Sequence, residues 1–471
     1  MRVCVVGGGI SGLSAAFRLR QSGAQVTLLE ATDRVGGTIR SERIDGYLVE
    51  HGPNGFLDSR VAVLDLARDL GLSETLVVGN PSARRRYVFA RGALRALPSG
   101  PLSLLTSGVL TLRGVLRLLC EPFVRPRRDG ADESVFAFAA RRIGREAASV
   151  LVDAMVTGVY AGDSRRTSLA AAFPRMAEME RAHGGLVRAL LALRRARKAD
   201  GVATPGAAAA AGPGGQLTSF PEGMQALTDA LEARLAGCVR AGVRAAALER
   251  GASGWRVLDA DGRDVLPEAV DAVVLAVPAD AAARLLAPHS PDAAATLESI
   301  PYSPAAVVAF GFAPESPLPR PLDGFGFLVP GQEGRRVLGS VWCSTVFPGR
   351  AAQGHALVRT IVGGARNPEV VDLNDAALSA LVRDELSVVF GGPLPEPAFT
   401  RIVRWPRAIP QYTQGHLERV ARVEAALAGI PGLHMAGNAL YGVSVADCVA
   451  RGAALPARVL NAASAPSAPA G

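Results

Sequence analysis

Arg2-Val3-Cys4-Val5-Val6 is a short apolar strand that runs into Gly7-Gly8-Gly9-Ile10-Ser11-Gly12 and then into a helical stretch over residues 13–22. Gly23 closes that helix, and residues 25–29 form the next strand, which ends at Glu30. Strand, GxGxxG, helix, strand and acid in this order specify a dinucleotide-binding βαβ unit. Gly7 permits the tight turn, Gly9 lets the backbone approach a pyrophosphate, and Gly12 lets helix and strand pack closely. The helix start adds free N–H donors and a positive dipole end, so Gly8, Ile10 and Ser11 complete a phosphate cradle. Glu30 can accept hydrogen bonds from ribose hydroxyls.

The chain continues through Ala31-Thr32-Asp33-Arg34-Val35-Gly36-Gly37 into Thr38-Ile39-Arg40-Ser41. Gly36-Gly37 would bring backbone amides to the diphosphate from a second side, and Arg34 would add charge. Toward the other end, Gly432-Leu433-His434-Met435-Ala436-Gly437-Asn438 is a strand that delivers a glycine. Between the two, Ala272-Val273-Val274-Leu275-Ala276-Val277-Pro278 is a buried-strand run. Together these segments resemble the FAD-dependent amine oxidase and phytoene desaturase-like superfamily. The resemblance implies FAD rather than NAD. It assigns cofactor contacts to Gly7, Gly8, Gly9, Ile10, Ser11, Gly12, Glu30, Ala31, Arg34, Gly37 and Thr38. It adds Gly52, Pro53, Asn54, Gly55, Val243, Gly437, Asn438, Val443, Ser444 and Val445. Asn438 stands where the family carries aspartate, so a neutral amide makes that contact. The implied fold class is an α/β Rossmann-like FAD-binding domain, discontinuous over residues 1–81, 206–288 and 425–471. An α+β substrate-binding domain covers 289–424, and an inserted, mainly α-helical membrane-binding domain covers 82–205.

Further segments narrow the resemblance. They are Gly52-Pro53-Asn54-Gly55-Phe56, Asp132-Glu133-Ser134-Val135 with Phe138, and Arg141-Arg142-Ile143-Gly144. Gly158-Val159-Tyr160-Ala161-Gly162-Asp163 and Gly324-Phe325-Gly326-Phe327-Leu328-Val329-Pro330 follow. Ile409-Pro410-Gln411-Tyr412 with Gly415-His416, and Tyr441-Gly442-Val443-Ser444-Val445-Ala446-Asp447-Cys448, complete the set. They resemble the oxygen-dependent protoporphyrinogen oxidase family in its bacterial form, over residues 1 to about 460. This implies a reduced tetrapyrrole substrate, a six-electron oxidation in three hydride-transfer cycles, and O2 as acceptor with H2O2 released. By the same resemblance Arg86 binds a substrate propionate, for which an arginine fork is suited. Phe325, Gly326, Leu328 and Ile361 wall the tetrapyrrole, Gly326 by giving the rings room, and Asn54 lies near flavin and substrate.

Composition tests this reading. The sole lysine is Lys198, in Arg194-Arg195-Ala196-Arg197-Lys198, far in sequence from any flavin motif. Flavin amine oxidases place a lysine by the flavin and usually carry arginine where Thr38 stands here, so amine oxidation is disfavoured. The rivals are coproporphyrinogen III oxidase, a soluble relative, then an amine oxidase or carotenoid desaturase. Five cysteines without a CxxC pair and six isolated histidines point to no metal site.

The net charge of +8 is unevenly spread. Residues 82–128 hold ten arginines and one acid, Glu121, and residues 181–198 hold six cations and no acid. The apolar stretch 102–123, with Arg113 and Arg117 four apart, reads either as an ordinary amphipathic helix or as one lying in a membrane interface. No apolar run is long enough to span a bilayer. The expectation is a cytoplasmic protein held peripherally, as a monotopic protein, on the inner face of the cell membrane. Ferrochelatase or magnesium chelatase would act downstream, a homodimer is left open, and no nucleic-acid-reading module is visible. Residues 201–221 read as an Ala/Gly/Pro-rich linker.

Overall fold

The computed structural model describes residues 1–98, 100–199 and 215–464. Residues 201–214 of the expected linker and the side chain of Lys198 lie outside the described residues.

Arg2–Val6 is the central strand of a five-stranded parallel sheet. The order is Val239–Arg240, Gln25–Leu29, Arg2–Val6, Ala272–Leu275, Leu433–Met435. Both faces are covered, which is why the strand is apolar at every position after Arg2. Val3 and Val5 pack with Leu13, Leu227 and Val459 from three helices, while Cys4 and Val6 pack with Trp255, Leu285 and Leu433. Helix Ile10–Gln21 buries Leu13, Ala15, Ala16 and Leu19 completely. Helix Val445–Ser464 lies so close to it that a Cβ on Gly452 would stand 2.7 Å from the Cβ of Ser14.

The second sheet has seven strands, in the order Phe399–Pro410, Tyr302–Phe312, Ala356–Gly363, Val337–Trp342, Gly326–Leu328, Arg86–Ala90, Ala93–Ala96. Pro406 is tolerated because its strand is an edge. One face is packed: Phe89, Val308, Phe310, Phe327 and Val358 meet Leu378, Val382 and Leu386 of helix Asp375–Phe390. Register places Arg86 beside Gly326, Gly326 beside Val341, and Val341 beside Arg359. The row two residues along holds Val88, Leu328, Gly339 and Ile361. Side chains in these rows share the opposite face. The sequence reading put residues 82–96 in the helical insertion. They instead supply two strands of this sheet, because Tyr87, Val88, Phe89 and Ala90 bury all their side chains there.

A helical layer follows, including Val135–Ile143, Asp153–Tyr160, Pro174–His183 and Leu186–Ala199. Its centre is ionic. Fully buried Arg142 donates from Nε to Glu121 at 2.8 Å and pairs with Glu180, and Glu121 accepts the amides of Leu186 at 2.8 Å and Val187 at 3.0 Å. The lone acid of the basic tract is therefore the buried counterion of a domain core.

The stretch 102–123 is not one helix. It divides into Pro101–Thr106, Leu112–Leu119 and a 3-10 turn at Glu121–Phe123. Val109, Leu110 and Val115 enter a core with Val88, Ala147 and Val150. Leu105, Leu112, Leu116, Leu119 and Phe123 stay exposed, Phe123 at 84%. Arg117 does not reach outward: it donates to the carbonyls of Arg141 and Arg142 and caps the end of helix Val135–Ile143. Arg85, Arg91 and Arg127 are likewise paired, with Asp323, Glu146 and Asp129.

Candidate active site

The glycine turn is built by backbone contacts. Gly7 takes φ +108°, and a Cβ there would lie 2.5 Å from the carbonyl oxygen of Ala276. A Cβ on Gly12 would lie 1.9 Å from the carbonyl oxygen of Gly7, so helix and turn touch main chain to main chain. Gly9 differs, because its Cβ would meet nothing within 4 Å. It faces open space at the start of helix Ile10–Gln21, next to Ser11. The Gly36-Gly37 loop is stitched alongside: the amide of Gly36 donates to Gly8 at 2.7 Å, and a Cβ on Gly37 would stand 3.1 Å from the Cα of Gly9. Open space beyond Gly9 at a helix start, beside close-packed glycine turns, is what an FAD diphosphate requires, so these residues fit the cofactor.

The Glu30 carboxylate accepts the amides of Gly8 at 2.7 Å and Thr32 at 2.9 Å. Next to Ala31, the carbonyl of Glu30 accepts the amide of Val243 at 2.8 Å, which brings that residue to the same end of the cleft. Arg34 is tied to the glycine-pair loop. Its guanidinium donates to the carbonyls of Gly37 and Ile39, both at 3.0 Å, and braces the loop from behind. Burial lowers its pKa. Thr38 turns its carbonyl to Gly52, where a Cβ would sit 2.2 Å away. Gly52-Pro53-Asn54-Gly55 is thereby pressed against the glycine-pair loop. The Asn54 side-chain nitrogen is buried without a partner.

At the far motif, Gly437 takes φ +108° and opens the short helix Asn438–Tyr441. Val443 and Ser444 lead into the next helix at Val445, and the Ser444 hydroxyl accepts the Asp447 amide at 3.1 Å.

Arg86, Leu328 and Ile361 share the open face of the seven-stranded sheet. Arg86 is reachable by solvent yet walled by protein, and that desolvation draws its pKa down. Its guanidinium lies 5.4 Å from the Phe325 ring centre. Among the described residues no acid pairs with it. Leu328 packs on Gly158 of helix Asp153–Tyr160, where a Cβ would lie 3.0 Å from both its methyl carbons. Gly326 also answers a backbone requirement. It takes φ +132°, and a Cβ would stand 2.0 Å from the carbonyl oxygen of Ser340. The backbone demands glycine there.

Sequence reasoning missed Arg359, Trp405 and Tyr412 as parts of the site. Arg359 is 5% exposed and donates to the carbonyls of Glu50 at 2.8 Å and Gly52 at 2.6 Å. An arginine inside Leu357-Val358-Arg359-Thr360-Ile361-Val362 is the signal that could have found it. Tyr412 and Gln411 explain their motif as joinery. Gln411 donates to the carbonyl of Tyr160 at 2.8 Å, and the Tyr412 ring stacks on His416 with centres 3.9 Å apart.

Residues 10–460 match the family described as flavin containing amine oxidoreductase. A chloroplastic protoporphyrinogen oxidase of Nicotiana tabacum is 32% identical, over 94% of this chain and 83% of its own length. A coproporphyrinogen III oxidase of Propionibacterium freudenreichii is 35% identical, over 99% of this chain and 92% of its own. A crystal structure from Exiguobacterium sp., provisionally assigned as a protoporphyrinogen oxidase, superposes with a TM-score of 0.81 at 26% identity, covering 97% of this chain and 98% of that one. The chain belongs to the flavin-containing amine oxidoreductase family and is an FAD-dependent oxidoreductase, related over most of its length to the porphyrinogen oxidases.

Proposed function

We propose that the protein oxidises protoporphyrinogen IX to protoporphyrin IX. The observation that carries this is Arg86, an unpaired guanidinium beside Phe325 on the same sheet face as Leu328 and Ile361. When bound, FAD would supply the redox chemistry as a two-electron acceptor, with O2 as the final oxidant reduced to H2O2. The chain's part is placement. Arg86 holds one propionate in a forked pair, and Phe325, Leu328 and Ile361 give the tetrapyrrole an apolar wall. A single charged anchor on such a wall lets the ring shift register between three two-electron steps. Asn54 offers its free amide where flavin and substrate meet.

Coproporphyrinogen III is the second reading, favoured by the 35% identical Propionibacterium relative and a 30% identical Bacillus subtilis relative of that name. That substrate brings four carboxylates. On the open face Arg95 donates to the carbonyl of Ala90, Arg359 to two carbonyls, and Arg401 pairs with Glu42. This charge count suits the less acidic substrate. The deciding experiment is the rise of porphyrin fluorescence under air from each porphyrinogen. Faster turnover of coproporphyrinogen at equal low concentration would reverse the assignment.

The exposed Leu105, Leu112, Leu116, Leu119 and Phe123, with Arg113, Arg125 and Arg128 exposed nearby, support peripheral docking on an anionic membrane from the cytoplasmic side. Among the described residues no helix is long and apolar enough to cross one. An apolar product released there suits direct transfer to a metal chelatase, and dimerisation is compatible with this arrangement. Flotation with anionic liposomes tests the docking, and failure to float at low salt overturns it.

A further inference from the structure

Three consecutive carbonyls precede Pro53 and Asn54, and all three are held by side chains of the seven-stranded sheet. Arg359 takes those of Glu50 at 2.8 Å and Gly52 at 2.6 Å, and the Trp405 indole N–H takes that of His51 at 2.9 Å. The other side of the same loop is fixed too, since Gly52 lies against the carbonyl of Thr38 with no room for a Cβ. From there Gly37 lies against Gly9, and Gly36 bonds Gly8. A continuous line of main-chain contacts thus runs from the open sheet face to the phosphate turn.

Arg359 is a poor choice for mere filling. Among the described residues no carboxylate lies within ion-pair distance, and its burial costs desolvation that an aliphatic side chain would avoid. What it gains is a two-point grip on a loop whose carbonyls would otherwise be free to turn. Pro53 carries that constraint stiffly into Asn54, whose buried amide nitrogen has no protein partner.

We infer that Arg359 and Trp405 are positioning residues: they fix the Asn54 amide between the sheet face and the flavin cleft, and so set the separation of substrate and cofactor. The inference extends the proposed function, but one arm of its test needs FAD alone.

Trp405→Phe keeps an aromatic ring but removes the indole N–H that reaches His51, together with part of the ring's bulk, and Arg359→Lys keeps the charge and removes the fork. Each is compared with Asn54→Ala and with the double variants, in FAD-loaded protein. The expected result is a fall of about tenfold in kcat for Trp405→Phe, with KM within about twofold and FAD content unchanged. Adding Asn54→Ala should cost no further factor beyond about two, because both changes act through one amide. The visible absorption band of bound FAD should move in the same direction in all three single variants. Multiplicative losses in the double variants, a band unmoved by Trp405→Phe and Arg359→Lys, or wild-type kcat in both would overturn the inference. If neither porphyrinogen is turned over by the wild type, the proposed function fails while the FAD band still decides this point.

Discussion

The hydroxyl of Tyr412 donates to the carbonyl of Asn438 at 2.6 Å, and the same oxygen accepts the amide of Gly442 at 2.6 Å. One phenol therefore clips both ends of the short helix that opens the late cofactor motif. Tyr412→Phe leaves a carbonyl and an amide without partners, at about 1–3 kcal/mol. The expected outcome is a lower melting temperature and weaker FAD retention on dilution, with the stacking on His416 kept. FAD retained as in the wild type would show that the clip does not hold the cofactor motif.

Arg86→Ala should lower kcat/KM on protoporphyrinogen by about 10- to 100-fold, the scale of a lost charge-assisted pair. FAD content should be unchanged, because the side chain projects from the sheet rather than from the glycine turns. Arg86→Lys should recover part of the loss, since it keeps charge without the fork. Steady-state fluorescence assays and flavin absorbance read both quantities.

Gly9 and Gly12 should respond oppositely to alanine. A methyl on Gly12 collides with main chain 1.9 Å away, so Gly12→Ala should fold poorly. A methyl on Gly9 enters open space, so Gly9→Ala should keep the apoprotein's melting temperature and lose FAD affinity. Far-UV circular dichroism with flavin titration separates the two. Equal loss of secondary structure would contradict the contrast.

Glu121→Gln uncouples a buried pair and leaves Arg142 uncompensated at that end, at about 3–5 kcal/mol. Glu121→Gln is expected to melt earlier than the wild type. The helix Leu186–Ala199 should be the first element to gain amide exchange, because its leading amides bond to that carboxylate.

His416 is 1% exposed, and burial pushes its pKa down to about 4. The folded state keeps it neutral where the unfolded chain, at about 6.5, already binds a proton. Its contribution is complete above pH 6.5 and is lost as pH falls toward 4. His416→Phe preserves the stack on Tyr412 and removes the titration. Relative to wild type it should gain about 2 kcal/mol between pH 7 and pH 5 in denaturant melts.

The glycine turns were legible because their requirements are local: a φ above zero, or a chain that approaches within one atom. Arg86, Leu328 and Ile361 were legible only through resemblance. Nothing local to residues 84–86 says which arginine pairs with Gly326, more than two hundred positions away. At Arg34 and Gly326 the structure shows main-chain contacts that the residue types alone do not announce. A sequence shows a charge or a missing side chain, but not the carbonyl it answers. Arg359, Trp405 and Tyr412 were missed on the same ground, since their partners are main-chain oxygens that carry no residue type. Arg117 shows the converse, because a cation at helical spacing looks outward until the helix end it caps is known.

The parallel sheet is laced from segments near residues 2, 25, 239, 272 and 433, so its first and last strands stand more than four hundred residues apart in sequence. The glycine turn at residues 7–12 therefore precedes by more than four hundred residues the strand that completes its sheet. Folding of this kind is slow and prone to aggregation. Closure of the sheet waits on the strand Leu433–Met435, and flavin capture is expected to follow that closure.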